Sequence, residues 1–290
     1  MSKQLTPTEL IERSIITRFR KGIWTKFLQA VKRYKLIEEG DRVAVCVSGG
    51  KDSMLLAKCV QELYRHSEIP FEAEYIVMNP GYNPENLSLI KSNLALLGIR
   101  AKIYESDIFD VNELIGGEHP CYLCARMRRG FLYARAKELG CNKIALGHHM
   151  SDVIETTLMS MLFGGQIQGM MPKIRSANFD GMELIRPLYC VLEDDIVQWR
   201  KYNNLQFIAC ACKLTENLDL GEQGKSARQD VKKLIKDFRA RNPDVDASIF
   251  KSLHNVQLDT LPSFKYKGET FEFNEKYERG VVIKFGGESD

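Results

Sequence analysis

The 290-residue sequence has no apolar run approaching the roughly 18 residues that a membrane-spanning helix needs, so no membrane span is expected. Its amino terminus also lacks the apolar stretch of a signal peptide. Glu9 and Glu12 stand there instead, so export is not expected and a cytoplasmic location is. There is no internal repeat and no low-complexity tract, and 44% apolar against 27% charged residues argues against bulk disorder. Eight cysteines are too few for a disulfide scaffold of this length, and in a reducing cytosol they are expected as thiols. An excess of one charge sign is nearly absent too, with 41 Lys and Arg against 38 Asp and Glu.

That near-balance hides three basic runs. Met1 to Ile37 holds nine Lys and Arg against Glu9 and Glu12, a local +7. Arg126, Arg128, Arg129, Arg135 and Lys137 form the second run. Lys225 to Arg241 carries seven basic residues against Asp230 and Asp237. Such density either contacts phosphates or forms solvated helix faces balanced by acids elsewhere.

Leu10, Ile11, Ile15, Phe19, Ile23, Phe27 and Val31 recur at near-helical spacing, so Thr8 to Lys35 reads as one long amphipathic helix or two. The valine-rich run from Arg42 to Ser48 fits a strand buried on both faces of a parallel sheet. Further strands are expected at Phe71–Met78, Ala101–Tyr104 and Lys143–Gly147. Helices are expected at Asp52–His66, Pro84–Leu97, Tyr122–Leu139 and Ser151–Phe163. This alternation predicts an α/β fold built on a parallel sheet with right-handed crossovers and helices on both faces. Downstream, the pattern predicts a helix over Glu193–Tyr202, a short strand, a Gly-rich loop over Asn217–Gly224 and another helix. Phe264 to Phe273 alternates like an edge strand.

Ser48-Gly49-Gly50-Lys51-Asp52-Ser53 sits between a predicted strand and a predicted helix. Glycines there admit a ligand close to the backbone, and the free N–H groups of the helix start favour an anion, to which Lys51 adds charge. It is not a Walker loop: the upstream glycine is missing, and Asp52 rather than Ser or Thr follows the lysine. Pro120-Cys121-Tyr-Leu-Cys124 opens a predicted helix, which places the two cysteines one turn apart. The helix amino end and the neighbouring arginines are expected to favour thiolate. Cys210 and Cys212 form a second close pair, whereas Cys46, Cys59, Cys141 and Cys190 lie in apolar patterns and read as core.

The Ser48–Ser53 segment resembles the pyrophosphate loop of the N-type ATP pyrophosphatases (PP-loop superfamily), which transfer AMP to a substrate oxygen. Gly147-His148-His149-Met150-Ser151-Asp152 is similar to their Gly-His-His-x-Asp-Asp segment, with Ser151 where the pattern has its first aspartate. Paired histidines at a helix start also serve as caps or packed side chains. Taken with Cys-x-x-Cys-Ala-Arg-x-Arg-Arg-Gly130, Phe163-Gly-Gly165, Met170-Met-Pro-Lys173 and Ile185-Arg-Pro-Leu188, the chain from about Ile37 to Phe238 resembles the tRNA 2-thiocytidine synthetase family.

The resemblance implies a Rossmann-like fold of the HUP (adenine nucleotide α-hydrolase-like) type. A basic helical extension would cover residues 1–38, the pyrophosphatase domain 39–205, and an α+β tail 206–290. It implies ATP-dependent adenylation of cytidine-32 of tRNA followed by sulfur insertion. Ser48, Gly49, Gly50, Lys51, Asp52, Ser53, Met78, Gly147 and His148 would bind the nucleotide. Lys51, Asp52 and Asp152 would act in catalysis, Asp52 by helping to organise Mg²⁺, and Met78 would border adenine. It implies a 4Fe-4S cluster on Cys121, Cys124 and a third cysteine. Cys212 is favoured by the residues after it, and Cys210 is the alternative, since the family more usually has Cys-x-x-Cys there. A closed Zn²⁺ site on all four, or a metal-free persulfide, would use the same residues.

The implied partners are tRNA, gripped by the basic runs, and a cysteine desulfurase or sulfide as sulfur source, with homodimerisation left open. Competing functions are thiolation at a uridine, lysine transfer to a cytidine, and a nucleotide- or metal-binding regulator without catalysis.

Overall fold

A computed structural model describes residues 4–109, 120–208 and 227–278. The chain divides into two compact units, Met1–Leu234 and Ile235–Asp290.

The first unit is organised by β1 (Arg42–Val47), whose Val43, Ala44 and Val45 are wholly buried. It pairs in parallel with β2 (Glu72–Asn79) on one side and β4 (Lys143–Ala145) on the other. β3 (Lys102–Glu105) extends the sheet beyond β2, and β6 (Glu183–Ile185) extends it beyond β4, both in parallel. β5 (Lys173–Arg175) closes the far edge antiparallel to β6, giving the order β3-β2-β1-β4-β6-β5. The expected parallel α/β sheet is therefore present. β5 and β6 have no counterpart in the sequence pattern because three residues are too few to show a period. The short strand expected after Tyr202 is absent among the described residues.

α3 (Lys51–His66) follows β1 directly and α4 (Pro84–Leu96) follows β2. α5 (Pro120–Glu138) precedes β4, and α6 (Met150–Leu162) follows it. Tyr133 and Ala136 of α5 pack on Ala44, Cys46, Ile76, Ile144 and Leu184 from one face of the sheet. The two-residue pleat turns Val43, Val45 and Val47 to the opposite face, the side of α3. Cys46, Cys59, Cys141 and Cys190 are buried as expected. Burial pushes the thiols of Cys46 and Cys59 far up and that of Cys141 to about 11.

The amino-terminal region is two helices, not one. α1 (Pro7–Ile16) starts in a capping box between Thr6 and Glu9. Phe19 then donates to the Ser14 carbonyl, a wider i→i+5 closure. A π-helical turn over Arg20–Trp24 leads into α2 (Thr25–Arg33). The extra residue per turn keeps Ile15, Ile23 and Phe27 on the buried side. Lys58 of α3, fully buried, ties this region down by donating to Glu12 (2.5 Å), Gln61 (2.7 Å) and the Leu97 carbonyl (2.7 Å).

α7 (Glu193–Tyr202) completes the part of the unit that bears on the site, together with the first turns of α8 (Ala227–Arg239). In the second unit α9 (Val245–Ser252) presents Asp246 to Arg239, which forks onto it at 2.6 and 2.9 Å. The expected edge strand at Phe264–Phe273 is instead a hairpin, β7 (Phe264–Tyr266) and β8 (Glu269–Phe271), followed by α10 (Phe273–Glu278). Lys267 and Gly268 both take positive φ, 50° and 87°, which a tight hairpin turn requires. Among the described residues no helix is long and apolar enough to cross a membrane.

Candidate active site

The chain runs outward from β1 to β2 and β3, then returns to β4 on the other side of β1. In open α/β sheets ligands bind at the carboxyl ends of the two strands flanking such a reversal. Here those ends carry the Ser48–Ser53 loop after β1 and Gly147–His149 after β4. A cleft of about 410 Å³ opens between them, lined by Ser48, Asp52, Ser53 and Met78 on one side and Gly147, His148 and Asp152 on the other. Ala125, Arg128 and Arg129 of α5 form its wall, one residue beyond Cys124. Seven of the expected nucleotide and catalytic residues thus meet at one place.

The loop is shaped by two glycines and a serine. Gly49 has φ +85°, and a Cβ there would lie 2.6 Å from Ile90. Gly50 occupies the N-cap of α3 with no side-chain cap, so the N–H groups of the first turn are left to an anion. Ser53 is buried. Its Oγ accepts from the Ser48 N–H at 3.0 Å and donates to the Gly50 carbonyl at 3.0 Å, so it holds the loop closed. Gly147 makes the approach from β4 close: a Cβ would stand 3.0 Å from Ser53 N and 3.1 Å from the Asp52 carbonyl carbon.

Lys51, with Gly49 and Gly50, flanks the cleft rather than lining it. Its Nζ donates to Glu193 at 2.9 Å and to Asp52 at 3.2 Å. Burial opposes the charge on Lys51, but Asp52 and Glu193 outweigh it and raise the pKa. Burial likewise disfavours the Glu193 carboxylate, yet hydrogen bonds from Lys51 and Lys232 bring it down to about 2. Ser151, the residue that departs from the resemblance, accepts the Glu193 backbone N–H at 3.1 Å and so brings α7 to the loop. Sequence reasoning missed Glu193; its one signal is the acidic first turn of its helix.

His149 caps α6. Its Nδ1 accepts the Asp152 N–H at 3.3 Å while Asp152 Oδ2 accepts the His149 N–H at 3.0 Å. An accepting Nδ1 assigns the proton to Nε2, which faces Asp52 Oδ1 at 3.7 Å. Asp152 Oδ1 accepts from Arg228 at 3.1 Å. Buried Glu155 faces Arg228 at 2.9 Å and Lys232 at 3.6 Å. Two cations of the third basic run are therefore engaged with site acids, and Arg239 with Asp246. The bland reading of that run, charges balanced within the fold, holds for these three.

Burial, then nearby Arg186, lowers the His148 pKa from 6.5 to about 4. Between pH 6.5 and 4 the unfolded chain takes up this proton and the folded chain does not, so stability falls as pH falls through that window. Above pH 6.5 the group is neutral in both states and contributes nothing. Between pH 7.5 and 5 the penalty amounts to about 2 kcal/mol. Urea unfolding of His148→Asn is expected to show a pH slope shallower by that amount, and an unchanged slope would contradict the assignment.

Asp52 Oδ1 is buried without a hydrogen-bond donor, an orphaned acceptor that fits a divalent cation beside the phosphates. Cys124, 8% exposed, directly precedes the wall residue Ala125, and its soft thiol is a donor type that fits iron or zinc. The side chain of Cys121, and Cys210 and Cys212 entirely, lie outside the described residues.

Residues 21–217 match the PP-loop domain family. The chain is 35% identical over 293 residues to a tRNA-cytidine(32) 2-sulfurtransferase of Neisseria meningitidis serogroup C (strain 053442), across 99% of this chain and 85% of the relative. It is 36% identical over 274 residues to the Vibrio cholerae serotype O1 (O395) protein of the same name, across 93% and 84%. The fold is similar to that of the U34-tRNA thiolase NcsA from Methanococcus maripaludis, solved with its 4Fe-4S cluster. The TM-score is 0.64 at 22% identity, covering 82% of this chain and 79% of that one.

Proposed function

The chain belongs to the tRNA-cytidine(32) 2-sulfurtransferase family of PP-loop proteins, and from that premise we propose that it is the enzyme that activates cytidine-32 of tRNA with ATP and replaces its O2 by sulfur. The observation that carries this reading is the single cleft onto which the Ser48–Ser53 loop, Gly147–His148 and the wall following Cys124 converge.

The cytidine O2 attacks the α-phosphorus, a new O–P bond forms, and the α–β bridge breaks to release pyrophosphate. The uncapped start of α3 receives that leaving group, and Lys51 moves its charge from Glu193 to the phosphates. Met78 borders the adenine. Asp52 would hold Mg²⁺, which neutralises pyrophosphate charge. His148 is neutral at pH 7, so it hydrogen-bonds without adding a cation. Sulfur then forms a bond to C2, the C2–O bond breaks, and AMP departs with the oxygen. A 4Fe-4S cluster on Cys121, Cys124 and Cys212 (or Cys210) would supply a Lewis-acidic iron for the incoming sulfur, delivered as sulfide, or from a cysteine desulfurase persulfide whose outer sulfur a two-electron thiol reductant releases at the sulfide level. A tRNA substrate sets this chemistry in the cytoplasm.

Mass analysis of tRNA nucleosides from a deletion strain is expected to show loss of 2-thiocytidine, restored by the wild-type gene. Loss of a thiouridine instead would reassign the substrate, and an unchanged thionucleoside profile would favour a non-catalytic role.

A further inference from the structure

Beside the active cleft lies a second groove, of about 560 Å³, that the chemistry above does not use. Arg126 and Arg129 reach it from α5, Arg175 from the edge strand β5, and Arg186 from the turn after β6. Tyr133 and Phe179 stack at 5.1 Å and 14° along it. These are not simply the second basic run. Arg135 of that run is engaged elsewhere, by Glu138 at 2.6 Å and by the rings of Tyr104 and Phe131. Arg175 and Arg186 lie far from it in sequence.

The groove has more cations than acids. Among the described residues Arg126, Arg129 and Arg186 form no ion pair, and Arg175 reaches only Glu183, at 3.8 Å. Arg186 is 8% exposed, donates to the Met171 carbonyl, and leaves its Nε buried without a partner. Burial and then Arg129 bring its pKa down to about 10, with Tyr189 and Tyr133 acting the other way. The Asp152 carboxylate also acts on it from beyond ion-pair distance, but a buried guanidinium beside a second one, with no carboxylate paired to it, is costly until an anion arrives. Arginine forks suit the phosphate oxygens.

Arg129 and Ala125 line both this groove and the active cleft, so the two openings are neighbours. The ATP phosphates are received at the β1 loop. A nucleotide whose base enters the cleft stays joined to its chain by phosphodiesters, and the shared Arg129 edge gives them a path into the groove. On the thiolation reading, on which this inference rests, we propose that the Arg126–Arg129–Arg175–Arg186 groove binds the backbone phosphates of single-stranded RNA flanking the nucleotide under modification.

The test is fluorescence anisotropy of a labelled anticodon stem–loop RNA against the full-length protein across a salt series. Arg126 and Arg175 are exposed, the latter 93%, so an Arg126→Ala/Arg175→Ala variant keeps the fold. Its log Kd against log salt slope is expected to be shallower by about 1.5, two phosphate contacts' worth, with binding weakened roughly tenfold at moderate salt. Lys91→Ala, an exposed cation on α4, keeps the wild-type slope. A double variant with the wild-type slope and affinity overturns the groove while leaving tRNA thiolation standing. Wild-type protein that binds ATP but no RNA overturns both. Displacement of the RNA by inorganic phosphate at constant ionic strength would make this a free-anion site and likewise sink the proposal.

Discussion

Lys51→Ala protein is expected to release AMP in the presence of tRNA about 10³-fold more slowly than wild type, with its thermal unfolding little changed. The magnitude follows from losing a preorganised cationic donor where negative charge develops, typically worth about 10²- to 10³-fold. Glu193 adds to it. Held at a pKa of about 2 by Lys51 and Lys232, it loses one of its two cations and is left as a carboxylate facing the incoming triphosphate. The two contributions separate in a double variant. Lys51→Ala/Glu193→Gln should recover much of the ATP affinity that the single change loses, while turnover stays low. Radiolabelled ATP conversion to AMP gives both constants. A single-variant rate within tenfold of wild type would remove Lys51 from the chemistry.

The second large effect concerns sulfur. Cys124→Ser is expected to abolish thionucleoside formation, a loss of more than about 10³-fold, while ATP affinity stays within about threefold. The separation is expected because Cys124 does not itself line the cleft; Ala125, Arg128 and Arg129 do. Serine nearly preserves volume, but its hard oxygen is a poor ligand for iron or zinc. Metal and sulfide analysis of anaerobically purified wild-type protein completes the test. Iron with acid-labile sulfide, lost in the variant, fits the cluster. Stoichiometric zinc in a colourless protein would make the cysteines structural. Undiminished thiolation by Cys124→Ser would remove this residue from sulfur transfer altogether.

Both experiments address residues that were legible in the sequence, and the reason is physical. β1, its loop and α3 form one continuous local pattern, valine run to glycine pair to helix, so Ser48, Asp52 and Ser53 could be placed without knowing the rest. Gly147, His148, Asp152 and Met78 were legible through the family resemblance together with their place at the ends of β4 and β2. What escaped depends on long-range contact. Glu193 reaches Lys51 only because Ser151, 42 residues earlier, receives its backbone N–H. Arg186 and Arg175 sit on or beside three-residue strands held by register rather than by pattern. The carboxyl-terminal hairpin read as one strand because Phe264 and Tyr266, then Phe271 and Phe273, each alternate; the shift of phase across Lys267–Thr270 is the signal of the turn. The choice between one amino-terminal helix and two stayed open because the π turn preserves the apolar side.

Glu193 already holds the Lys51 ammonium at 2.9 Å, the group to which the proposed chemistry assigns a phosphate. Any nucleotide that seats there has to outcompete a built-in carboxylate, so the contact discriminates by charge density. A triphosphate or pyrophosphate, with its higher negative charge, is expected to compete for the lysine better than the monophosphate left after activation. The same ion pair is therefore expected to weaken binding of the spent nucleotide more than that of ATP, and so to speed its release.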